Sequence, residues 1–251
     1  MLTCCVDAVN ITTEPAIKAL QQRSMNMAIQ LMTTKGYASA SVKILVHGQS
    51  GVGKTTLIGS LPNPVVISAE GGLLALADLE IPYLNVTNMT ELNEAFEWLL
   101  NSKEAEQFQS VAIDSISEIA EVVLNTEKKL TKDPRQAYGA LQEQMTDLIR
   151  AFRDLPRKHV YMSAKTEKAT DENGRILYSP SMPGNKLGQM LPYFFDEVLA
   201  LRVERDSDGA THRGLMCDSD GLWTAKDRSG KLSAWEDAEL GAIIRKITGE
   251  S

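Results

Sequence analysis

The chain has 251 residues, 43% of them hydrophobic, and its 33 acidic against 26 basic residues give a formal net charge of −7. That is enough apolar material for a full core, and one large domain is expected rather than two small ones. The acidity excludes a protein that holds nucleic acid by its overall field, so such a partner would have to meet a local basic patch. The three cysteines, Cys4, Cys5 and Cys217, are too few and too scattered for a disulfide framework or a zinc site, which points to a reducing compartment, the cytoplasm. Neither a basic-then-apolar leader nor a run of about 18 apolar residues occurs, so neither secretion nor a membrane span is expected.

Residues 1–26 read as a poorly defined extension, with a helix starting after Glu14-Pro15, and residues 27–251 as the main domain. Ile29 and Leu31 alternate as a short strand, and Tyr37 reads as a loop tyrosine. The chain is organised around the stretch from Val42 to Thr56, an apolar run entering Gly48-Gln49-Ser50-Gly51-Val52-Gly53-Lys54-Thr55-Thr56. This is the G-x-x-x-x-G-K-[ST] pattern, in which glycines let bare backbone N–H groups curl around a polyphosphate. Lys54 can reach the terminal phosphates, the Thr55 hydroxyl is placed to ligate Mg²⁺, and a helix beginning there turns its positive end toward the anion. ATP and Mg²⁺ are therefore the expected ligands.

A short helix closes at Leu61, and Val65-Val66-Ile67-Ser68 is a compact buried strand that ends in Ala69-Glu70. Glu70 emerges at the edge where an open α/β sheet places catalytic groups, so it either activates the attacking water or caps a helix starting near Gly72. Ile81–Thr87 gives a strand and Thr90–Leu100 a helix. Ser110–Ser115 is an apolar run ending in Asp114, which would face Mg²⁺ through a water or through Thr55. Helices over Ser115–Lys129 and from Pro134 to about Leu155 follow, with apolar positions at helical spacing. Lys158–Ser163 is the next strand, and Lys165 at its end either senses the terminal phosphate, contacts nucleic acid or is simply solvated.

The segment Thr166–Gln189 lacks apolar periodicity and is either a functional loop or a solvated β-hairpin. With Lys165 it carries the cations Lys168, Arg175 and Lys186, the candidates for a nucleic-acid contact. Phe194–Arg205 and Thr211–Cys217, joined by Asp206-Ser207-Asp208-Gly209, read as a C-terminal β-hairpin. Lys226 and Arg228 then form a Lys-x-Arg pair that either projects into a neighbouring subunit's nucleotide or decorates an exposed turn. A helix over Glu236–Ile247 closes the chain. The alternation of strands and helices predicts an α/β fold, a central, mostly parallel sheet flanked by helices.

With these pieces placed, Val42 to Ile247 resembles the RecA-like ATPases, and more narrowly the phage-encoded nucleotide-binding proteins grouped with AAA-type ATPases, some of which are single-strand annealing proteins. Gly48–Thr56, Val65–Glu70, Val111–Ser115, Pro183–Leu187 and Lys226–Gly230 carry the resemblance. It implies a RecA-like P-loop core in which Glu70 activates water. It also implies that Thr166–Gln189 lines a channel for single-stranded DNA and that Lys226 and Arg228 act across a subunit interface of a homo-oligomer. A single-strand binding protein is an optional further partner. A P-loop kinase of a small molecule and a nucleotide-gated assembly module with little turnover remain the alternatives.

Overall fold

The computed structural model describes residues 41–170, 173–205 and 208–250. The readings of residues 1–26, of the strand at Ile29 and Leu31, of Tyr37 and of the turn residues Asp206 and Ser207 lie outside them. The parallel part of the sheet comprises β1 (Lys43–Gly48), β2 (Pro64–Ser68), β3 (Tyr83–Asn85), β4 (Ser110–Asp114), β5 (His159–Thr170) and β7 (Glu197–Arg205), in the spatial order β7-β1-β5-β4-β2-β3. β8 (Thr211–Met216) and then β10 (Trp235–Asp237) extend it antiparallel beyond β7. β6 (Ile176–Ser181) pairs antiparallel with the outer half of β5, and β9 (Lys226–Asp227) with the start of β7. The sheet is therefore mostly parallel, as the alternation of elements predicts.

Strand periodicity sends alternate side chains into two separate cores. On one face Leu45, Val65, Ile67, Val111, Ile113, Val160 and Met162 meet α2 (Met89–Asn101), α3 (Ile116–Leu130) and α4 (Pro134–Arg153). On the other, Ile44, Val46, Val66, Ala112, Tyr161 and Leu199 meet α1 (Lys54–Leu57) and α6 (Leu240–Thr248). Where both faces are covered, in β1, β2 and β4, the strands are largely apolar and buried along their length.

Four of the helix starts are fixed by side-chain caps. Asn88, Ser115, Asp133 and Glu239 each accept a backbone N–H in the first turn of α2, α3, α4 and α6. α2 thus begins one residue earlier than Thr90, and α6 begins later than Glu236 because Trp235-Glu236-Asp237 is taken up as β10. The helix expected after Gly72 is a run of 3-10 turns over Leu73–Leu79. Thr166–Gln189 is not one long loop: β5 runs on to Thr170, turns back as β6, and leads into the short helix α5 (Asn185–Met190). Among the described residues no helix is long and apolar enough to cross a membrane.

Candidate functional site

The loop between β1 and α1 leaves the sheet at its C-terminal edge. Gly51 and Gly53 have φ of 74° and 106°, and a Cβ on Gly48 would stand 2.7 Å from Val52 Cγ1. Side chains at these positions would be strained or would fill the cradle, so the glycines are required by its shape. The Lys54 ammonium folds back to donate to the carbonyl oxygens of Gly48 at 2.8 Å and Gln49 at 3.0 Å. Burial lowers its pKa, while Glu70 and Asp114 act to raise it. α1 is anchored from beneath, where the buried Tyr161 hydroxyl donates to the Lys54 carbonyl at 2.8 Å.

Three strands bring the polar groups to this edge. The Thr55 hydroxyl donates to Asp114 Oδ2 at 2.6 Å, and Ser163, at the same level of β5, donates to Oδ1 at 2.5 Å. Asp114 is 3% exposed, so its carboxylate is held by neutral donors rather than by a cation. The Ser115 hydroxyl donates to Glu70 Oε1 at 2.5 Å. That contact ties the exposed end of β2 to the residue after Asp114 and keeps Glu70 on the cradle's side of the sheet. The Asp114–Ser115 peptide is cis. Glu70 does not cap a helix; the turn at Leu73 has no side-chain cap.

Sequence reading passed over Ser115, Ser163 and His47. His47, the residue before Gly48, is buried with its Nδ1 at 2.9 Å from the Thr166 hydroxyl and its Nε2 at 2.7 Å from the Thr224 carbonyl. The carbonyl makes Nε2 the donor and leaves Nδ1 to accept, so the ring is neutral; burial takes its pKa down to about 4. Its ring stacks on Trp223, which stacks on Tyr178 at 4.3 Å between centroids. This column fastens the outer hairpin and the 223–224 segment to the strand that delivers the loop.

The remaining candidates are scattered. Lys165 forms an ion pair with Glu118 at 2.7 Å. Lys168 lies on the outer half of β5 and Arg175 in the turn before β6. Lys186 lines a separate groove of about 620 Å³ between the starts of α4 and α5, with Arg135, Tyr138 and Gly184. Lys226 and Arg228 are not near the cradle. β9 pairs with Glu197 and Val198 at the start of β7, level with Ile44, at the opposite edge of the sheet from Gly48. There Lys226 donates to the carbonyls of Pro192 at 2.6 Å and Phe195 at 2.7 Å, and Arg228 pairs with Asp196 at 2.9 Å.

The parallel sheet, the glycine cradle at the end of β1 and the Thr55–Asp114 contact together define a P-loop nucleotide-binding protein. The family profile described as AAA domain matches residues 40–229. The chain therefore belongs to this family of AAA-type P-loop ATPases. A search of curated proteins gives no match.

Proposed function

We propose that the chain is a Mg²⁺-dependent ATPase of RecA-like type, encoded by a phage. Its work is on single-stranded DNA in recombination or replication, as a homo-oligomer in the host cytoplasm. The observation that carries the hydrolytic reading is the Ser115–Glu70 bond, which holds a second carboxylate on the same edge as Lys54, Thr55 and Asp114.

ATP phosphates fit the glycine cradle, and the hydroxyl of Thr55 with the carboxylate of Asp114 is a hard-oxygen pair suited to Mg²⁺. Among the described residues no group of three or more His, Cys, Asp or Glu could hold a metal, which suits an ion shared with phosphates rather than caged by protein. When bound, Mg²⁺ draws charge from the phosphate oxygens. Lys54 exchanges its two loop carbonyls for phosphate oxygens. Glu70 accepts the proton of the attacking water at Oε2, because Oε1 is occupied by Ser115 and holds the carboxylate in orientation.

The DNA reading is supported by the groove that Lys186 lines. Arg135 and Lys186 stand on its walls without a carboxylate among its lining residues, and the Tyr138 ring is 40% exposed, with Lys128 Nζ at 5.6 Å from its centroid. Cations beside an exposed aromatic face suit phosphates and a stacked base. Lys226 and Arg228 can reach another protomer's nucleotide only if its upper edge meets their lower one, a head-to-tail contact that closes into rings or runs into filaments. The kinase alternative wants an arginine lid. Arg150 instead stacks on Phe194 and Arg153 pairs with Asp154, at the end of α4 away from the cradle.

Phosphate release measured with and without a single-stranded oligonucleotide tests the reading. Stimulation is expected, reduced about tenfold in Tyr138→Ala, since a stacked base is worth ~1–3 kcal/mol. A rate indifferent to the oligonucleotide would remove the DNA from the proposal.

A further inference from the structure

β8 delivers an arginine to the phosphate loop that none of the features above accounts for. Leu215 of β8 packs in the core shared with α1, and Arg213, two residues earlier on the same face, reaches past the end of that core. It pairs in register with Val203, beyond the level at which Leu201 meets Gly48. There its guanidinium lies against Gly53: a Cβ added to Gly53 would stand 3.2 Å from Arg213 Nε and 3.3 Å from Cζ. The residue is exposed, and no carboxylate among the described residues holds it. Lys54 is held by the carbonyls of Gly48 and Gln49, so Arg213 stands at the loop as a second, separate cation.

We propose that Arg213 is a nucleotide-binding residue acting in the same chain as the cradle, its planar guanidinium taking phosphate oxygens of a nucleoside di- or triphosphate on the flank away from Asp114. This rests on the cradle binding nucleotide. It adds a second cation that belongs to the same protomer and to the antiparallel extension of the sheet, rather than to a neighbour. A fork of N–H donors matches two phosphate oxygens where an ammonium matches one.

The test is equilibrium binding of ADP and ATP to the full chain, in wild type, Arg213→Gln, Arg213→Lys and Arg213→Glu, with thermal melting of each without nucleotide. Arg213→Gln should weaken both nucleotides about tenfold, Arg213→Lys less, and Arg213→Glu more, at unchanged melting temperature, because an exposed side chain carries little of the fold. Affinity within twofold of wild type in both the Gln and Glu variants would overturn the assignment. A folded wild type that binds neither nucleotide would instead overturn the nucleotide reading itself.

Discussion

The two edges of the parallel sheet hold similar residue types and use them in opposite ways. At the upper edge, where β1, β2 and β4 end, the carboxylates of Asp114 and Glu70 are held by hydroxyls, and Lys54 rests on two carbonyls of the glycine loop. Neutral donors fix a carboxylate without cancelling its charge, so these groups stay available to a charged ligand. At the lower edge the cations are consumed internally: Lys226 on two carbonyls, Arg228 on Asp196, and Lys158 on the carbonyls of Ala105 and Phe108. Net charge and composition could not separate the two. What separates them is the partners of the carboxylates: hydroxyls hold Asp114 and Glu70 above, whereas Asp196 is paired with Arg228 below.

Two substitutions at the lower edge bear on this difference. Lys226→Met leaves the carbonyls of Pro192 and Phe195 without their donor, so unfolding in denaturant should show a loss of about 1–3 kcal/mol. Nucleotide affinity should be unchanged. If stability holds while hydrolysis falls, the ammonium serves a neighbouring nucleotide and both edges carry ligand-binding cations.

A further effect concerns Glu197, which is fully buried beside the Asp227 side chain. Burial, and next the adjacent Asp227 carboxylate, push its pKa from 4.5 up to about 8. Between those values the folded carboxyl keeps a proton that the unfolded one has lost. Stability should therefore fall as pH rises through this window and level off above about 8. Glu197→Gln, which cannot ionise, should flatten that slope and be the more stable of the two proteins at pH 8, read from denaturant midpoints at pH 5 and 8. An unchanged slope would place the titrating group elsewhere.

The upper edge was legible in the sequence to the extent that its chemistry is local. The cradle is one contiguous motif, and Glu70 and Asp114 each end a compact apolar run, so spacing alone places them at strand ends. Ser163 and Arg213 reach the site through strand pairing across large separations, and no local pattern marks them. The β5–β6 hairpin was readable only as an alternative to a loop, because residues 165–170 and 173–176 are largely exposed, which removes the alternation that marks a half-buried strand. β10 was hidden for a related reason: Trp235-Glu236-Asp237 is short and polar, and Trp235 is 40% exposed. Lys226 and Arg228 were visible as a pair, but only the register of β9 tells which edge they occupy.

The most direct test is Glu70→Gln, with ATP binding and phosphate release measured on the same preparation. The substitution keeps an acceptor for Ser115 and removes the basic oxygen, so ATP should bind as in wild type while release falls by about 10²–10⁴-fold. Phosphate release at the wild-type rate from a variant that binds ATP normally would contradict the account.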